Sequence, residues 1–209
     1  MDIALKICGL KYHENINDVI LKIMPDYIGL IFYSKSPRYF KNTLSAQYIN
    51  TINKAIKKVG VFVNETTENI VEAIKIYNLQ AVQLHGNETP KQCEALSKYA
   101  TIIKAFGVNH NFNFETLSNF AGVVNYFLFD TKTTLHGGSG IVFNWEILKN
   151  YALPIPYILS GGINNHNIAS IKLLKNKPAI IDVNSKYELE PGLKNIAQLL
   201  TLKNILQHD

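Results

Sequence analysis

Cys8 closes the apolar run Leu5-Lys6-Ile7-Cys8, and Gly9 follows it. A thiol partly ionised near neutral pH can act as a nucleophile or as a base, and the glycine leaves it room and backbone freedom. A small apolar filler at a strand end is the competing reading. Asp130 ends another very apolar run, Tyr-Phe-Leu-Phe-Asp at 126–130. In a dry pocket its pKa would rise, letting it hold a proton near neutral pH as a general acid must; an N-cap or a loop-fixing hydrogen bond would give it a structural role instead. Ser160-Gly161-Gly162 and Asn184-Ser185 follow two further runs. Paired glycines let backbone N–H groups close on an anion, and a helix start behind them adds its dipole, which makes both turns candidate phosphate sites. Gln83, His85 and Asp182 are the remaining polar residues at the ends of such runs. Arg38 is the sole arginine among 21 basic residues, and a guanidinium is suited to bidentate recognition of planar anions.

The elements that must position these groups are legible as short apolar runs at about 25-residue intervals: 5–8, 27–32, 59–63, 81–84, 101–106, 126–130, 156–160 and 179–183. β-Branched and aromatic residues bounded by Gly, Asn or Ser predict buried strands. Segments of helical periodicity lie between them. In 66–78, Ile70, Val71, Ile74 and Tyr77 share a face; in 192–206, Leu193, Ile196, Leu199, Leu200 and Leu206 do. Glu65-Thr66-Thr67 signals the start of the third helix, and Asn87-Glu88 with Pro90 that of a fourth over 88–99. Eight strands alternating with eight helical segments predict parallel pairing through right-handed crossovers, and hence an α/β chain forming a single (β/α)₈ barrel domain over 1–209. An open doubly wound sheet is the rival, but Ile-Cys-Gly-Leu-Lys-Tyr-His after the first strand does not match its glycine-rich turn. In a closed barrel the site lies at the C-terminal ends of the strands, where every candidate above falls.

Composition excludes several classes. The chain is 47% hydrophobic and 18% charged, as globular proteins are. Its +5 formal charge comes from scattered lysines, the longest basic run being Lys57-Lys58, so no nucleic-acid partner is expected. No apolar run approaches the roughly 20 residues that span a bilayer, and no secretory leader pattern is present, so neither a membrane partner nor export is expected and a cytoplasmic location is. Cys8 and Cys93 are too few for a disulfide framework and lack zinc spacing; Cys93 reads as a buried, inert thiol. His85 and Asp182 have no second strand-end histidine beside them, so no metal site is expected.

Taken in order, K-I-C-G-L at 6–10, S-P-R at 36–38, G-V-F-V-N at 60–64, Q-L-H-G at 83–86, D-T at 130–131, G-G-S-G at 137–140, F-N-W at 143–145, S-G-G-I at 160–163 and D-V-N-S at 182–185 with P-G at 191–192 resemble phosphoribosylanthranilate isomerase. The match is one motif per βα unit apart from strand five. That family isomerises N-(5-phosphoribosyl)anthranilate in tryptophan biosynthesis without a cofactor, on a small sugar-phosphate substrate, as a monomer or homodimer. The resemblance implies that Cys8 is the general base, Asp130 the general acid, Arg38 a positioning residue near the anthranilate end, and Gly161, Gly162, Asn184 and Ser185 phosphate contacts. Three positions depart from its pattern: Asn144 and Asn195 replace aspartates, and Lys186-Tyr187 replaces a glycine and a small apolar residue.

Two other classes stand against this reading. Another sugar-phosphate barrel enzyme would need the two aspartates of the histidine-pathway isomerase, where this chain has Cys8, or the metal cluster of an epimerase. A non-catalytic phosphate-ligand binding barrel would bind without turnover.

Overall fold

The computed structural model describes residues 3–131 and 144–208. Eight parallel strands, β1 (Ala4–Cys8), β2 (Tyr27–Ile31), β3 (Lys57–Phe62), β4 (Ala81–Leu84), β5 (Thr101–Val108), β6 (Tyr126–Thr131), β7 (Tyr157–Leu159) and β8 (Ile180–Val183), form a closed barrel in sequence order. β1 closes the ring on β8, with Lys6 opposite Asp182. The expected (β/α)₈ barrel is the observed architecture.

The two-residue period of a strand sorts the side chains. Leu5, Ile7, Ile28, Leu30, Val82, Leu84, Phe127, Phe129, Leu159 and Ile181 face outward and pack under the helices. Tyr27, Val59, Ala81, Ile103, Leu128, Ile158 and Ile180 form the separate inner cluster. Two residues further along, inward positions turn polar: Ala4 gives way to Lys6, Ala81 to Gln83, Leu128 to Asp130, Ile158 to Ser160 and Ile180 to Asp182. The interior is therefore apolar at its base and polar toward the strands' C-terminal ends.

A helical segment follows each of the eight barrel strands, though not always as α-helix. α1 (His13–Asp18) continues as a π-turn over Val19–Ile23; α2 (Ala46–Thr51), α3 (Thr67–Tyr77) and α4 (Pro90–Ser97) follow; 3₁₀ segments Phe114–Phe120 and Trp145–Asn150 occupy the fifth and sixth places; α5 (Ile168–Ile171) and α6 (Ile196–His208) complete the set. Side chains of Ser45, Thr66, Thr89, Asn113 and Asn144 accept the capping N–H at the segments they precede. Such caps contribute about 1 kcal/mol each. Asn144 thus caps its segment where the resemblance leads one to expect an aspartate, and Asn195 Oδ1 likewise accepts from Gln198 N at the start of α6.

Two boundaries differ from the periodicity. Thr89, not Asn87-Glu88, caps α4, because the Glu88 carboxylate turns back to accept from Gly86 N and Asn64 N. The run 192–206 is not one helix. Glu188–Glu190 (β9) and Leu193–Lys194 (β10) form an antiparallel hairpin around Pro191-Gly192, and α6 starts only at Ile196. Leu193 accordingly lies in β10, Leu200 is exposed, and Leu199 and Leu202 make the buried face. Cys93 is buried on α4 as expected. Among the described residues no helix is long and apolar enough to cross a membrane, and no three His, Cys, Asp or Glu side chains gather as a metal site would require.

Candidate active site

A pocket of about 790 Å³, open to solvent, lies at the C-terminal mouth of the barrel. Its walls include Cys8 from β1, Gln83 and His85 at the end of β4, Asp130 from β6, Gly161 and Gly162 after β7, and Asp182, Asn184 and Ser185 at the end of β8. Every candidate site residue except Arg38 is in that wall. G-G-S-G at 137–140, Phe143 and His136 lie outside the described residues.

Cys8 is buried, and its sulfur fits because its neighbour on β2 is Gly29: a Cβ there would stand 2.6 Å from Sγ. Burial pushes the thiol pKa up, while the Lys6 and Lys194 ammonium groups pull it down. Asp130, three strands away around the ring, has its pKa pushed up to about 6 by burial, opposed by the Thr131 N–H that donates to Oδ1 at 2.8 Å and by the Lys6 charge. At that value the carboxyl retains a proton into the weakly acid range.

Between them stand two neutral groups and one ion pair. The Gln83 amide Nε2 is 2.8 Å from His85 Nδ1. An amide nitrogen can only donate, so Nδ1 accepts and Nε2 carries the hydrogen. Burial, with Lys104 and Lys6 nearby, drops the His85 pKa to about 4, so the ring is neutral at physiological pH and its Nε2, 3.6 Å from Asp130 Oδ2, makes no ion pair there. Lys6 Nζ donates to Asp182 Oδ2 at 2.8 Å, with both side chains essentially sealed from solvent. Burial is the largest single influence and would lower the Lys6 pKa, but the Asp182 carboxylate and the Cys8 thiol together outweigh it and raise it. Gln83 Oε1 and Asp182 Oδ1 are buried with no hydrogen-bond partner among the described residues. Two acceptors so placed suit a ligand that brings hydroxyl donors.

The turns after β7 and β8 present donors. Gly161 and Gly162 adopt φ of 88° and 67°, a left-handed conformation that side chains disfavour. A Cβ on Gly161 would also meet Asp130 Oδ1 at 2.7 Å and Thr131 N at 2.6 Å. The N–H groups of Gly161, Gly162 and Ile163 have no protein acceptor among the described residues, while the Gly162 carbonyl is held by Asn164 and Asn167. Lys186 joins this wall, and Tyr187 is buried, its hydroxyl donating to Asn165 Oδ1 at 2.9 Å.

Arg38 stands beside this wall rather than in it. Its Nε and Nη2 bind the Glu188 carboxylate at 2.6–3.0 Å, leaving Nη1 without a partner among the described residues. Glu188 also accepts from Lys194 Nζ at 2.7 Å, and Lys194 reaches Asn184 Oδ1 at 2.8 Å. These two cations hold the buried Glu188 carboxyl below its ordinary pKa, against burial. The hairpin β9–β10 therefore ties the Arg38 loop to the turn after β8.

A model of the N-(5'-phosphoribosyl)anthranilate (PRA) isomerase family matches residues 5–207. The chain belongs to that family. The family's enzyme from Parabacteroides distasonis is 41% identical over 206 residues, 97% of this chain and 91% of that one. Phosphoribosyl anthranilate isomerase from Thermotoga maritima superposes with a TM-score of 0.88 at 31% identity, covering 98% of each chain. A phosphoribosyl anthranilate isomerase solved in complex with reduced 1-(o-carboxyphenylamino)-1-deoxyribulose 5-phosphate does so with a TM-score of 0.82 at 29% identity over 98% of each chain. The PRA isomerases are enzymes of tryptophan biosynthesis, and this chain is an isomerase by that membership.

Lys6, Glu188 and Lys194 are the site-forming residues that sequence reasoning missed. Lys6 had a signal: two residues before Cys8 on a strand, it must share Cys8's face. Glu188 and Lys194 gave none: Arg38 is 150 residues from Glu188, and the Glu188–Lys194 pair forms because 188–194 folds as a hairpin rather than a helix.

Proposed function

We propose that the chain catalyses the Amadori rearrangement of N-(5-phosphoribosyl)anthranilate to 1-(2-carboxyphenylamino)-1-deoxyribulose 5-phosphate, with Asp130 as general acid and Cys8 as general base. The observation that carries the reading is one pocket walled by a thiol on β1 and, three strands away, a carboxyl whose pKa is about 6.

Protonated Asp130 gives its proton to the ring oxygen. The C1–O bond breaks as the anthranilate nitrogen's lone pair forms C=N, and the sugar opens to an iminium. The Cys8 thiolate then removes the C2 proton, and the C–H electrons become the C1–C2 double bond of an enolamine as the nitrogen regains its lone pair. Tautomerisation of the enolamine gives the ketone. Each enzyme-assisted step is a proton transfer, a task suited to a carboxyl and a thiol of shifted pKa.

The N–H groups of Gly161, Gly162 and Ile163, without an acceptor among the described residues, and Asn184 and Ser185 in the same wall suit the phosphate, so that binding at the far end of the substrate positions its reacting carbon. Gln83 and Asp182 offer acceptors to the sugar hydroxyls, and His85 a neutral N–H beside Asp130. Arg38 Nη1, unused by Glu188, is suited to the anthranilate carboxylate. The reading takes residues 1–209 as a single barrel domain acting in the cytoplasm.

The test follows anthranilate fluorescence as purified protein meets freshly made phosphoribosylanthranilate. Loss of signal at an enzymatic rate, competitively slowed by inorganic phosphate, is expected. Ligand binding without any loss of signal would overturn the isomerase reading in favour of a binding barrel.

A further inference from the structure

We propose that Lys6 is a positioning residue of the reaction: held by Asp182 inside the barrel, its ammonium is the counter-charge that lets Cys8 become a thiolate. The inference rests on Cys8 being the base.

Packing does not call for a charge at this point. One layer down, the inward positions are filled by Tyr27, Val59, Ala81, Ile103, Leu128, Ile158 and Ile180. A buried ion pair costs several kcal/mol of desolvation per ion, and an apolar pair of like volume commonly stabilises as well or better. A second buried pair in the same barrel shows what a structural one looks like. Lys104 donates to Glu88 and also to the carbonyls of Leu84, Gly86 and Ala105, so its hydrogens are consumed in joining β4 to β5. Lys6 is as deeply buried, yet its only oxygen acceptor among the described residues is Asp182 Oδ2. The other group that acts on its charge is Cys8, two residues further along the same strand. Lys6 and Cys8 are alternate residues of β1, so both side chains leave the same face of the strand and project into the barrel.

The charged groups that face Cys8 are Lys6 on β1, Asp182 on β8 and Lys194 on β10, while β2 presents only Gly29. Lys194 is already taken by Glu188 and Asn184. A thiolate has to form in a place that burial makes hostile to it, and Lys6, on the same strand face and with one oxygen acceptor against the two of Lys194 among the described residues, is the cation with the stronger pull on it.

The geometry gives opposite signs for the two members of the pair. Lys6→Met removes the attraction and leaves Asp182 to repel the thiolate. Asp182→Asn removes the repulsion and frees Lys6 for the sulfur. The experiment is a pH titration of thiolate ultraviolet absorbance in a Cys93→Ala background, paired with the iodoacetamide alkylation rate at fixed pH. The midpoint is expected to rise in Lys6→Met and fall in Asp182→Asn, with kcat at neutral pH about ten- to hundred-fold lower in Lys6→Met, the range for a lost hydrogen bond to a charged group. Should Lys6→Met fail to fold for want of a partner to Asp182, Lys6→Met/Asp182→Asn leaves no uncompensated charge, and its midpoint is expected above wild type. An unchanged midpoint in the lysine variant that folds, or a shift of both single variants in the same direction, would overturn the proposal. Normal turnover by Cys8→Ala would instead overturn the base assignment beneath it, so the two failures are distinguishable.

Discussion

Asp130→Asn is expected to stabilise the protein while abolishing its activity. The folded-state pKa of Asp130 is about 6 because burial disfavours its charged form, whereas an unfolded aspartate titrates near 3.9. A raised carboxyl pKa means that the native state binds the proton more tightly than the unfolded chain does. Stability is therefore lost as pH climbs from about 4 to about 6, and the loss is complete above that window. Two pKa units correspond to about 3 kcal/mol at pH 7.5 but only about 1 kcal/mol at pH 4.5, where most native molecules are still protonated. Asparagine has nearly the same shape, keeps an oxygen for the Thr131 N–H and never ionises, so it escapes this cost. The variant should gain about 3 kcal/mol in urea unfolding at pH 7.5, or roughly 6–11 °C in Tm for a chain of this size, and about a third of that gain at pH 4.5. A variant less stable than wild type at pH 7.5, or a difference independent of pH, would refute the reasoning that burial holds this carboxyl protonated.

The pH profile of kcat/KM should be a bell of unusual assignment. The active form needs Asp130 protonated and Cys8 ionised, the reverse of their pKa order. Activity should fall about tenfold per unit below about pH 6, where Asp130 titrates, hold level, and fall again above the thiol pKa. The level region corresponds to a small minority of molecules in the active form, because burial raises the thiol pKa above its ordinary value while Asp130 is protonated only up to about pH 6. Gly29→Ala would drive a methyl to 2.6 Å from Cys8 Sγ, and steady-state kinetics should show kcat falling at least about tenfold, with stability down by about 1–3 kcal/mol. Glu188→Ala leaves Arg38 and Lys194 unpaired at a buried site, with an expected loss of about 3–5 kcal/mol in chemical denaturation at pH 7. Because the Glu188 pKa is depressed in the fold, that difference should shrink as pH falls below about 4, through the depressed value.

The barrel was legible because each strand is a compact run of β-branched and aromatic residues bounded by turn residues, and because the candidate site residues read from the sequence, Arg38 apart, lie at or just after the ends of such runs. What was hidden depends on distance along the chain. Arg38 and Glu188 are 150 residues apart, and Lys6 and Asp182 are 176, so no local period links them. Leu193 satisfied a helical face by spacing alone, but the Pro191-Gly192 turn and the Glu188 contacts draw 188–194 into a hairpin before α6 can begin. Lys6 was passed over as one polar residue in an apolar run; reading strand alternation from Cys8 backward would have placed it inside the barrel. The 3₁₀ segments at 114–120 and 145–150 show how much helix a short crossover can lose while still covering its strand.

The central claim is that the Cys8 thiolate takes the C2 proton. Its most direct test is the turnover number of folded Cys8→Ala with phosphoribosylanthranilate, followed by fluorescence within the level part of the pH profile. Removal of a general base predicts a loss of about 10²–10⁴-fold with KM little changed; turnover near the wild-type rate would contradict it.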